Sequence, residues 1–149
     1  GDKGLINDTY TAGLLHDAGL LLLAVSFFDE YKHVIDFAFI NDVPLVKAER
    51  DLMGCTHGEV GAYLLGIWGL PDNIVQAVAF HHSPGACPSM GFTPLTAVHA
   101  ANALDRAAHG PGGDWGTSEL DLEYLGRIGL VDRVAIWGAL SGATENAKG

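Results

Sequence analysis

Five residues in three clusters hold the chemistry this chain can offer. They are the pair His16-Asp17 in LLHDAGLLLL, His57 in THGEV, and the pair His81-His82 in AFHHSP. Imidazole and carboxylate are good ligands for borderline and hard divalent metals, iron, manganese, zinc and nickel among them. Each cluster also has a plainer use. Asp17 can cap or pair nearby backbone while His16 fills a satisfied core position. His57 falls in the first turn of a helix, where N–H groups hold anions, or else on the surface. His81-His82 ends a helix, where the dipole favours imidazolium and would by itself justify one of the two. Adjacent helical residues point about 100° apart, so His16 and Asp17 can grip one metal only from the edge of a cleft. His33 and His109 read as exposed helix residues, and His99, between Val98 and Ala100, is open to either use.

The elements that must position these groups are helical throughout. Asp8 or Thr9 can cap a helix from Tyr10 to Phe28, with Leu14, Ala18, Leu21 and Val25 on one face and enough apolar residues elsewhere to be wrapped on nearly every side. Asp29 to Ile40 follows as a second helix with Tyr31, Val34, Ile35 and Ala38 inward, and Pro44 begins a third through Leu45, Ala48 and Leu52. Thr56 with Glu59 forms a capping box that opens a hairpin of two helices. Gly69 ends the first arm and Pro71 starts the second, which places Ile74, Val78 and His81 on one face. Ser83 to Phe92 is a loop by composition. Thr93-Pro94 opens a long helix carrying Leu95, Val98, Ala101, Asn102 and Asp105 on one side. Gly110 to Gly116 is a flexible connection, Ser118 caps a short helix, Val131 to Leu140 forms the last one, and 141–149 is a flexible tail. No period-2 run is present, so the chain is all-α.

At 149 residues, 48 % hydrophobic and 17 % charged, the chain is a globular single domain and not a disordered one. A net charge of −10 excludes nucleic acid and anionic membrane surfaces as partners. No segment has the length and apolarity to span a bilayer, and no signal-peptide pattern is present. Cys55 and Cys87 have neither CxxC nor zinc-finger spacing and read as reduced thiols of a cytoplasmic protein.

The order HD, then H, then HH, in AGLLHDAGLLLL, ER-x-x-x-G-x-x-HGEVGAYLLGIWGLPDNIVQAVAFHHSP and PLTAVHAANAL, resembles the HDOD family over roughly Tyr10 to Trp137. These are HD-related output domains of bacterial signalling proteins, relatives of the HD and HD-GYP phosphohydrolases. The resemblance implies an HD-like bundle of about six to eight helices, preceded in the family by further helices that this chain lacks, so that 1–149 reads as a fragment of one domain. An apolar face left bare by those helices could drive homodimerisation. The resemblance also implies that His16, Asp17, His57, His81 and His82 match superfamily metal-site positions. Leu20 stands where a catalytic lysine is expected, His99 where a late aspartate is, and no histidine precedes His16. The expected function is therefore a non-catalytic signalling module, coupled to a receiver or sensor domain and acting through protein partners. The alternative is a metal-dependent phosphohydrolase or phosphodiesterase acting on a nucleotide or cyclic dinucleotide.

Overall fold

The computed structural model describes residues 2–89, 91–109 and 119–146, with the side chains of 106–109 and 141–146 outside that description. Among these residues every regular element is helical: α1 Lys3–Leu15, α2 Ala18–Ser26, α3 Phe28–Asn41, α4 Leu45–Met53, α5 His57–Ile67, α6 Asp72–Phe80, α7 Pro94–His109, α8 Leu122–Arg127 and α9 Val134–Asn146. Short 3₁₀ turns at Pro84–Ala86 and Val131–Arg133 join the later helices.

The α5–α6 hairpin forms as its capping residues require. The Thr56 hydroxyl accepts from the Glu59 N–H at 3.3 Å, and a Glu59 carboxylate oxygen accepts from the Thr56 N–H at 3.0 Å. Such a cap stabilises a helix by about 1 kcal/mol. At the corner Gly69 takes φ +76°, a left-handed conformation that releases the chain from α5, and the Leu70 N–H bonds back to the Leu65 carbonyl at 3.1 Å. Ala62, Leu65 and Val78 bury each other between the two arms, while Ile74 and Ala77 face Ala12 of α1 and Leu95 and Val98 of α7. Each large side chain so buried contributes roughly 1.5–3 kcal/mol.

The first helix departs from expectation. It begins at Lys3, capped by Asp2, whose carboxylate accepts from the Gly4 N–H at 2.9 Å. It then breaks at His16-Asp17 instead of running on to Phe28. An unbroken apolar run gave no sign of this break, because periodicity cannot register one residue with φ −101° and ψ 13°, the conformation of Asp17. Nor is the expected helix wrapped. Leu14, Leu21 and Val25 are 67, 66 and 83 % exposed, and α2 buries only Gly19 and Leu23. The reason is a backbone-to-backbone contact. A Cβ at position 19 would stand 1.9 Å from the His57 carbonyl oxygen and 2.6 Å from the Gly61 nitrogen, so the glycine edge of α2 meets α5 directly, and Leu21 and Leu22 turn outward while Leu23 stays buried.

Further along, Asp121 caps α8 by accepting from the Tyr124 N–H at 2.8 Å. Ser118, the expected cap, lies outside the described residues, as do the Gly110 to Gly116 connection, the His109 side chain and residues 147–149. The last helix continues past Leu140 to Asn146. Cys55 and Cys87 are free thiols.

Candidate metal centre

Three helix ends deliver the site. Asp17 sits at the N-terminal boundary of α2, His57 is the first residue of α5, and His81 and His82 follow the last turn of α6. The break after α1 settles the problem of adjacent residues diverging, since Asp17 has left the helix and makes no side-chain cap bond. Its Oδ1 stands 3.4 Å from His57 Nε2 and 3.6 Å from His81 Nε2, and His82 Nε2 is 3.1 Å from His57 Nε2. One ligand atom from each of Asp17, His57, His81 and His82 lies within 4.8 Å of the others.

Hydrogen bonds at the far side of each ring fix which nitrogen faces inward. His81 Nδ1–H donates to the Val78 carbonyl at 2.8 Å, and His57 Nδ1–H donates to the Glu49 carboxylate at 2.9 Å. Both rings therefore turn Nε2 lone pairs toward Asp17 Oδ1. Two of the converging atoms, Asp17 Oδ1 and His81 Nε2, are buried without hydrogen-bond partners. Only protons or a cation relieve that arrangement. Two ligands at the ~2.0–2.1 Å bond length of zinc in a tetrahedral set lie about 3.4 Å apart, and three of the pairs here stand 3.1 to 3.6 Å apart. Three imidazoles and one carboxylate suit zinc, iron, manganese or nickel. The residues fit a divalent metal.

The titration of the metal-free groups follows the same geometry. Burial alone would raise the Asp17 carboxyl, but the neighbouring imidazoles of His16, His57 and His81 overcome it and hold the group well below the usual carboxylate range. Burial opposes the charge on His57, yet Asp17 and Glu49 outweigh it and push this ring up to about 9. Burial lowers His81, with Asp17 only partly compensating. His16 stands outside the convergence. Its Nδ1–H donates to the Gly13 carbonyl at 2.8 Å, and its Nε2 meets Asp17 Oδ2 at 3.2 Å, which raises its pKa and leaves Oδ1 for the centre. Of the five candidate ligands, four thus come together, and the fifth orients one of them.

His99 takes no part. Its Nδ1–H donates to the His81 carbonyl at 2.8 Å, and its Nε2 accepts from the Asp121 N–H at 2.9 Å. Both nitrogens are engaged with backbone, so the position of the late aspartate is occupied by a strut. His33 is exposed, as expected. Glu49 was given no role by the sequence. It is fully buried and accepts from the Tyr31 hydroxyl, from the His57 backbone N–H at 3.0 Å and from the His57 ring. A signal did exist: Glu49 lies four residues after Leu45, on the inward face of α4.

The HDOD domain family model matches residues 2–84, more than half of the chain. The chain belongs to the HDOD family. It is a signalling-related HD-like module by that membership. An uncharacterized protein of Treponema pallidum (strain Nichols) is 26 % identical over 110 residues, which cover 74 % of this chain and 21 % of that relative. The chain therefore spans about a fifth of the relative's length. No solved structure matches. The matched residues of the HDOD model take in α1 to α6 and all four converging ligands. Among the described residues no single helix is long and apolar enough to cross a membrane.

Proposed function

We propose that this HDOD domain is a cytoplasmic regulatory module of bacterial signal transduction, non-catalytic, in which a divalent metal clasps α2, α5 and α6 together. Its output passes through protein partners, a receiver or sensor domain among them. The observation that carries this reading is the pairing of a four-residue ligand set with no phosphate-binding cation beside it among the described residues. Leu20 replaces the lysine of the catalytic pattern, and the basic residues of the neighbouring α4 are committed elsewhere, Lys47 to Asp51 and Arg50 to Glu59, each at 2.6 Å. A phosphoester would meet carboxylates and imidazoles without a clamp for its charge.

A second reading, metal-dependent hydrolysis of a phosphodiester or nucleotide, is favoured by one feature. Asp17 and His82 are only partly buried, so the centre lies near the surface, where a bound metal would supply Lewis acidity to substrate or water. Elemental analysis of tag-free protein, followed by assays of the metal-loaded domain on cyclic dinucleotides and nucleotides, separates the two. Near-stoichiometric metal without turnover is the expected result. Metal-dependent turnover that disappears in His57→Ala would establish the hydrolase.

A further inference from the structure

Glu49 is a buried carboxylate with no lysine or arginine in salt-bridge contact with it among the described residues, and such a group is costly unless its lone pairs are filled. Here they are filled from two directions. From α3, the Tyr31 hydroxyl donates to Oε1; from α5, the His57 backbone N–H and Nδ1–H donate to the carboxylate at 3.0 and 2.9 Å. Tyr31, Glu49 and His57 are each no more than 2 % exposed. Bulk water does not reach these donors.

Because Glu49 accepts, His57 must keep its proton on Nδ1 and turn the Nε2 lone pair toward Asp17, His81 and His82. We infer that Glu49, with Tyr31 behind it, is a positioning residue that makes His57 a metal ligand and couples metal occupancy to the seating of α3 and α4. The inference rests on the reading of the centre as a metal site. A carboxylate that fixes the tautomer of a ligating histidine and raises its basicity commonly changes metal affinity roughly 10–100-fold. Linkage makes the coupling run both ways: whatever displaces α4 from α5 weakens metal binding, and metal binding holds α4 in place.

The full chain, stripped of metal, is titrated with zinc and with cobalt(II), whose ligand-field bands report coordination. Glu49→Gln should weaken zinc roughly 10–100-fold. Its amide removes the negative charge and leaves one accepting oxygen in place of two. Tyr31→Phe should weaken zinc less, and Glu59→Gln, the same charge change at an exposed cap, should leave affinity and cobalt bands unchanged. In zinc-loaded wild type, nitrogen NMR should show His57 bound through Nε2 with its proton on Nδ1. Wild-type zinc affinity and cobalt spectrum in Glu49→Gln would overturn the inference. So would His57 bound through Nδ1, or not bound, in the wild-type spectrum, a measurement that decides the matter even if Glu49→Gln does not fold. Wild type that takes up neither ion would overturn the metal reading and this inference together, and is recognised before any variant is made.

Discussion

His81 and His99 are both completely buried and are joined by a hydrogen bond, yet their rings serve opposite purposes. At the α7–α8 junction, His99 spends one nitrogen on the His81 carbonyl and the other on the Asp121 N–H. At the end of α6, His81 spends one nitrogen on the Val78 carbonyl and keeps the other for Asp17, where no donor waits. Burial therefore does not distinguish a ligand from a strut. The unmatched lone pair does.

The most damaging way to test that contrast is to separate the helices that bring the ligands together. Gly19→Ala would drive a Cβ into the His57 carbonyl and the Gly61 nitrogen, so it should lose about 3 kcal/mol or more of stability by urea unfolding. Metal binding should fall with it, since Asp17 is displaced.

Next come the ligands themselves. His57→Ala and His82→Ala should each reduce zinc affinity by more than about 100-fold in competition titrations. His99→Gln should keep zinc stoichiometry and cost about 1–3 kcal/mol of stability through unmet backbone groups. Equal zinc losses in all three variants would erase the distinction between strut and ligand.

His57 and His99 also predict opposite pH slopes in metal-free protein. Burial lowers His99 below 6.5, so the unfolded chain takes its proton first; the stability His99 contributes is full above pH 6.5 and is lost as pH falls toward the folded value. His57, raised to about 9, contributes stability that is full below pH 6.5 and is lost as pH rises through about 9. Urea midpoints across this range should flatten on the acid side in His99→Gln and on the alkaline side in His57→Gln. The smallest effects concern the corner: Gly69→Ala, at φ +76°, should lose about 1–2 kcal/mol, whereas exposed His33→Ala should stay within about 0.5.

Most of the hairpin was legible, because Thr56, Glu59, Gly69 and Pro71 act on their own neighbours in the chain. The ligand set was legible as residue types, and the family resemblance supplied their grouping. What sequence could not show was set by distant contacts. The turn at Asp17 leaves no mark in an apolar run, and the outward face of α2 depends on how closely Gly19 meets Gly61. Glu49 took no part in the reading of the sequence, since its partners are 18 residues upstream, at Tyr31, and 8 downstream, at His57.

The contact between Gly19 and α5 has a mechanical side. Helices packed through side chains have slack, because rotamers can change to absorb a small displacement. Here backbone rests on backbone, with nothing between to yield. A push on the exposed leucine face of α2 would reach His57 with little lost in transit, making this joint a stiff lever between the outer surface of the domain and its centre.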